Sequence, residues 1–408
     1  MTGKAPITSA WESGQMQPLH GIRVLDFGRY IAGPYCAALL ADYGADVIRV
    51  EQPGGNEDRF TVPVAKDGSG AGFLQFNRNK RSLGLAIGTP EGRALVRRLI
   101  ATADVVIANM PADALKRTGL DLTTLSAIKP DIILVTASAF GDAGPLATRV
   151  GFDAIGQAMS GVVHLTGTAE QPYRAQANYI DFGTALHCAF GVMLALRERD
   201  ASGRGQQVSG SLLGTALAYS NGLTIDHALN GVERQPMGNR SYGSAPTDMF
   251  RTSDGWIMIQ VVSNPIFARW ARLIGRPELI DDPRYKDDMA RGDNGVALSE
   301  AMAAWSAART TEEAIAALAE ARVPAGPVLR AGEVMAHPQV VASGLVAPMD
   351  YPGIPRPAPV VPTPIAMSAS GRPATRRAPL AGEHSREILA EIGVDDDEIA
   401  ALAAAGVI

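Results

Sequence analysis

Short apolar runs alternate with amphipathic stretches along the first half of the chain. Ile22-Arg23-Val24-Leu25-Asp26-Phe27 reads as a strand, and Val47-Ile48-Arg49-Val50 as a second. Between them Leu39, Leu40 and Tyr43 share a face at helical spacing, so Pro34 to Tyr43 reads as a helix. Pro34 suits its first turn and Gly44 its end. The unit spans about 30 residues, the length of a right-handed parallel crossover. The alternation continues. Thr89-Pro90-Glu91 offers an N-cap and a proline at the first helical position, ahead of Leu95, Leu99 and Ile100 on one face. Val105-Val106-Ile107 and Ile132-Ile133-Leu134-Val135 are further strands. Continuous apolar strands between helices predict a parallel sheet covered on both faces. A doubly wound α/β domain is expected over roughly the first 210 residues.

The pattern changes near residue 235. Met249 to Thr252, then Ser253-Asp254-Gly255, then Trp256 to Ile259 reads as a β-hairpin. Helices are expected after Asn264-Pro265, around Val296–Trp305, and from Thr310, where Glu313 completes a capping box. This compact α+β lobe ends near Ala325-Gly326-Pro327. Residues 351–379 are Pro-rich and read as an extended return strap, and Leu389 to Val407 as one or two closing helices. The expected divisions are 18–225, the first part of a large domain; 235–328, a small α+β domain; and 329–408, the strap and the remainder of the large domain.

Composition narrows the function. The 408 residues are 46% apolar and 19% charged, enough for a large core. The net charge of −5 offers no basic excess for a nucleic-acid backbone. A small anion needs only a local cluster of cations. Cys36 and Cys188 cannot form a disulfide framework, and no CxxC or Cys/His cluster suggests zinc. The first 17 residues lack an apolar signal core, and no run of 18 apolar residues occurs. A cytoplasmic enzyme without metal, membrane or nucleic-acid partner is expected.

The first βα turn, Gly28 to Pro34, lacks GxGxxG and lacks the Lys-Ser/Thr of a P-loop, yet sits where parallel sheets bind ligands. Asn77-Arg78-Asn79-Lys80-Arg81-Ser82 is either a solvated turn or a clamp for a phosphorylated nucleotide. Arg117, ending a short helix, either caps it or pairs with a phosphate. Asp181 precedes a helix whose apolar side is read as Leu186, Phe190, Met193 and Leu194. It is either an N-cap or a carboxylate nucleophile kept ionised by the helix dipole and shielded by Ile180 and Phe182. His164 and His187 are isolated, and no HExxH or GxSxG pattern occurs.

In order, Leu19-His20-Gly21-Ile22-Arg23-Val24-Leu25-Asp26, Ala32-Gly33-Pro34, Gly44 to Glu51, Asn79-Lys80-Arg81-Ser82, Lys116 to Leu120, Phe152 to Gly161, Arg322 to Val328 and Gly382-Glu383-His384 resemble the family III CoA-transferases. That group includes formyl-CoA:oxalate and carnitine CoA-transferases. The resemblance spans about residues 18–408. It implies a Rossmann-like large domain built from N- and C-terminal segments plus a smaller α+β domain, in an interlocked ring dimer. It implies coenzyme A and acyl-CoA as substrates, with no prosthetic group. Asp181 falls at the family's catalytic aspartate. CoA would lie along Ile31 and Ala32, Leu85 against the adenine, Asn109 and Arg117 at the pantetheine and phosphates, and Asp153 near the thioester.

The implied reaction moves CoA from an acyl-CoA to a free carboxylic acid, of dicarboxylic type, through an aspartyl anhydride and an aspartyl-CoA thioester. Backbone N–H groups at the Asp181 helix start are the expected oxyanion donors. Arg29 and Arg240 are candidate cations for the acceptor. Oxalate is disfavoured, since Gly238 to Gly243 has no glycine-rich lid pattern. Two rivals share the scaffold. A racemase would carry His in a GHD triplet, but here that triplet is Gly151-Phe152-Asp153. A non-catalytic CoA-binding protein would have no need of Asp181.

Overall fold

Six short strands, β1 (Arg23–Asp26), β2 (Asp46–Glu51), β3 (Arg81–Gly84), β4 (Val105–Ala108), β5 (Ile133–Ser138) and β6 (Gln207–Ser211), pair in the order β3-β2-β1-β4-β5-β6. Every pairing is parallel. This is a computed structural model, which describes residues 17–368 and 375–408. Chain order reverses between β1 and β4. In open parallel sheets such a reversal is the place where ligand crevices form, at the strand C-termini.

Helices cover both faces. α1 (Ala32–Asp42) follows β1 directly, so the helix starts two residues before Pro34. α2 (Ala71–Phe76) precedes β3. α3 (Pro90–Ile100) has the expected Thr89 cap, whose Oγ1 accepts from Gly92 N–H at 3.0 Å. α4 (Ala112–Thr118) ends at Gly119 in the left-handed region, φ 72°. α5 (Asp153–Met159), α6 (Tyr179–Ser202) and α7 (Leu212–Asn230) complete the set used below.

The C-terminal segment belongs to the same core. Ile388, Leu389, Ile399, Leu402 and Val407 pack with Leu83, Leu95, Leu99 and Val106. Ala86 N–H donates to Val407 C=O at 2.7 Å, and Arg23 and Arg81 both pair with Glu391. The chain divides into two compact units. One holds residues up to Ser160, then Ala175–Asn221 and Gln339–Ile408; the other holds Gly161–Arg174 and Gly222–Pro338.

In the smaller unit β7 (Thr247–Arg251) and β8 (Trp256–Gln260) form the expected hairpin, and β9 (Ala325–Pro327) pairs antiparallel to β8. Phe250, Ile257, Ile259, Trp270, Met302 and Leu318 are among its core residues. The Thr310–Glu313 capping box is present. Of the expected strap, residues 369–374 lie outside the described residues; its Ala358–Val360 pairs antiparallel with Ala347–Met349, just ahead of it.

One apolar face is reversed from expectation. α6 turns Ala185, Cys188, Ala189, Val192 and Ala195 into the core beside Cys36, Ala37, Leu40 and Ala41 of α1. Small side chains let the two helices approach closely. The larger Leu186, Phe190, Met193 and Leu194 lie outside, 43–62% exposed. α6 is long and apolar enough to cross a membrane by length and composition, and half of that stretch is buried in the fold.

Candidate active site

The turn between β1 and α1 is held by side chains on nearly every backbone group. Gly28 N–H donates to Asp26 Oδ1 at 2.8 Å, and Gly28 C=O accepts from Arg49 at 3.3 Å. Arg29 N–H and C=O both bond the Asn109 amide, at 2.8 Å each. Tyr30, in the left-handed region at φ 61°, donates its N–H to Asp58 at 3.1 Å. A Cβ on Gly28 would lie 2.8 Å from Asp26 Oδ1 and 2.9 Å from Pro34, so only glycine fits this approach. Asn109 comes from the end of β4, the other lip of the crevice, and locks the two lips together.

Behind the turn lies a buried ionic network. Lys80 Nζ donates to Asp26 Oδ2 and Pro34 C=O at 2.7 Å, and to Asn77 Oδ1 at 2.9 Å. Arg49 bonds Asp58 at 2.8 and 3.0 Å and Glu51 at 3.2 Å, and Glu51 also pairs with Arg59. Arg78 pairs with Asp42. Burial pushes the Lys80 amine down to about 8, with Asp26 opposing the shift. Most cations of the Asn77–Ser82 run are therefore neither a solvated turn nor a phosphate clamp. Arg78 and Lys80 are sealed inside, and Arg81 joins Asp46, Glu387 and Glu391.

Asp181 is the third residue of α6, not its cap. The cap position is Asn178, whose side chain makes no capping bond. The exposed helix donors are instead satisfied from α5. Asp153 Oδ2 accepts from Ile180 N–H at 2.8 Å and Asp181 N–H at 3.1 Å. Those N–H groups, expected to serve an oxyanion, are already occupied. The expected dipole effect is also outweighed. Burial first, and the Asp153 charge second, push the Asp181 carboxyl up to about 7.

Aromatic contacts join this helix start to the turn. Phe182 packs edge-on against Tyr35 of α1 and Phe76 of α2, with ring centres 4.9 and 5.6 Å away. Tyr30 and Phe152 meet edge to face at 5.6 Å. The turn, Phe152-Asp153 and Asp181 thus form one constellation at the crevice mouth. It sets a half-buried carboxyl among aromatic side chains, with Phe at position 152.

Comparison with known proteins decides the class. A family model described as CoA-transferase family III matches residues 19–385. The chain belongs to CoA-transferase family III. It is 35% identical over 398 residues to succinyl-CoA–D-citramalate CoA-transferase of Chloroflexus aurantiacus, covering 96% of this chain and 98% of that protein. It is 35% identical over 389 residues to succinate–glutarate CoA-transferase of Agrobacterium fabrum, covering 92% and 96%. A CAIB/BAIF family protein from Brucella suis superposes with a TM-score of 0.82 at 34% identity, over 93% of this chain and all of that one.

The remaining expected residues of this family III enzyme are spread more widely. Ile31 and Ala32 are buried where the turn enters α1. Leu85 is wholly buried in the core, leaving its side chain no surface for a ring. Arg117 is exposed on the last turn of α4. Arg29 pairs with Glu57 at 2.7 Å. Arg240 lies in the smaller unit. His164 is exposed, and His187 sits 3.5 Å from Thr215 Oγ1. Sequence reasoning missed Asp58 and Gln157. For Gln157 the one signal was a polar residue in the otherwise small and apolar Ala154–Met159; Asp58, in the polar run Asn56–Arg59, gave none.

Proposed function

We propose that this enzyme moves CoA from succinyl-CoA or a similar acyl-CoA to a free dicarboxylic acid, with Asp181 as the covalent nucleophile. The acids follow the relatives' names, citramalate, succinate and glutarate. The observation that carries the mechanism is the half-buried Asp181 carboxyl, joined through Phe182 and Tyr35 to the braced β1–α1 turn. An Asp181 oxygen bonds the thioester carbonyl carbon, the C–S bond breaks, and CoA leaves as thiolate. The thiolate then bonds the aspartyl carbonyl carbon and releases the donor acid. The acceptor carboxylate attacks the aspartyl thioester, and the steps reverse. Phe182, Tyr35 and Phe76 keep water from the anhydride. CoA lies along the Ile31–Ala32 turn that Asn109 braces, and the free Arg117 guanidinium meets its phosphates.

Two copies interlock to form the working enzyme. The α6 stripe of Leu186, Phe190, Met193 and Leu194 supports this, because a second copy is the partner always at hand for so large an apolar face.

Labelled succinate and glutarate mixed with succinyl-CoA test the reaction, read as label entering the CoA ester. Wild-type enzyme with acyl-CoA alone is expected to yield an Asp181 hydroxamate on adding hydroxylamine. Asp181→Asn is expected to lose both exchange and hydroxamate. Normal turnover in that variant would rule out the covalent aspartate.

A further inference from the structure

Both oxygens of Asp153 are held. Oδ2 takes the N–H groups of Ile180 and Asp181, and Oδ1 accepts from Gln157 Nε2. Gln157 is wholly buried. Its Oε1 accepts from Ala175 N–H at 3.0 Å, and its Nε2 lies 3.4 Å from Ala177 C=O. One side chain therefore ties Asp153 to the segment leading into α6. An anion is fixed beside the nucleophile, on donors that would otherwise steady an ionised group.

We propose that Asp153, braced by Gln157, is a positioning residue that disfavours free, ionised Asp181 and so favours its acylated forms. This rests on Asp181 being the nucleophile. The charge balance gives the reason. When Asp181 oxygen bonds the acyl carbon, the negative charge departs on the CoA thiolate. When thiolate displaces the donor acid, the charge departs on that carboxylate. Asp181 is neutral in both covalent states, and its repulsion with Asp153 is relieved in both. The same repulsion, added to burial, pushes its acidity to about 7. The ionisable groups facing this site are Asp153 from α5, Tyr35 of α1 through Phe182, Tyr179 and His187 of α6 itself, and Tyr219 of α7 beside Gly183. Asp153 is the anion among them.

Asp153→Asn keeps an oxygen for the two N–H groups and removes the charge. The acid limb of kcat/KM is expected to move down from about 7 toward the ordinary carboxylate range. With donor acyl-CoA alone, the hydroxylamine-trapped fraction is expected to fall about tenfold per pH unit of that movement. An unmoved limb with an unchanged trapped fraction overturns the proposal. Absence of hydroxamate in the wild type would instead remove the nucleophile reading beneath it. Should the Asn variant fail to fold, Gln157→Met keeps the charge and loses the brace. There kcat is expected to fall about tenfold, with KM for acyl-CoA within about twofold. Unchanged kcat in that variant overturns the bracing role.

Discussion

At the scale of single residues, Asp181 sits where burial and a second carboxylate both oppose ionisation, which makes it a strained group in the free enzyme. Its folded value near 7 stands above the ordinary 3.8 that the unfolded chain restores. Between those pH values the folded protein holds a proton that the unfolded chain has shed. Its contribution to stability is therefore full below about pH 4 and lost as pH rises through 7. Asp181→Asn removes the penalty, so it is expected to raise the unfolding free energy by up to about 4 kcal/mol at pH 8. The gain should vanish near pH 3, and denaturant melts of both proteins at the two pH values check it. A gain in stability with total loss of exchange marks Asp181 as a group held at a cost to the fold for its chemistry. The position of Asp181 was legible from the family resemblance, but its acidity was not. Burial shifts it most; the second cause, the Asp153 charge, comes from 28 residues upstream, and no local pattern records that meeting.

At the scale of elements, the backbone of the β1–α1 turn is fixed by side chains from β2, β4 and the Asp58 loop. Strands β1, β2, β4 and β5, the Thr89 cap and the Thr310 capping box were legible because each rests on neighbours in sequence; β3 and β6, short and polar, were not. Nor was the ionic bed. Arg78 and Lys80 look like a solvated run until Asp42 and Asp26 come to meet them from 36 and 54 positions away. Removing one member of such a bed leaves the rest uncompensated. Asp58→Ala strips Arg49 of its bidentate partner and Tyr30 N–H of its acceptor. It is expected to destabilise the fold by about 3–5 kcal/mol, measured by urea denaturation. Asp58→Asn, which keeps an acceptor for Tyr30, should lose less. Equal losses in the two variants would mean that the turn does not depend on that bond.

At the scale of the whole molecule, the reversed face of α6 bears on assembly. On sequence the large residues Leu186, Phe190, Met193 and Leu194 read as the inner face, because size and hydropathy alone favour them. Packing against α1 decided otherwise, because only the face of small residues lets the helix axes close. The large side chains left outside, already about half covered, have about 1 kcal/mol each to gain from full burial. A second copy covering them supplies that gain, and the expected species at micromolar concentration is a dimer. Phe190, 62% exposed in the single chain, is the most exposed of the four. Phe190→Glu is expected to cost nothing within one chain, because the side chain touches water there. In a dimer it would bury an unpaired carboxylate, a loss of several kcal/mol. Sedimentation should therefore show wild-type dimer and variant monomer at the same low concentration. Circular dichroism should show unchanged helix content, and exchange activity should fall with the dimer fraction. A wild type that sediments as an active monomer, or a Phe190→Glu variant that remains as tightly dimeric as the wild type, would show that this stripe is not the surface through which two copies meet.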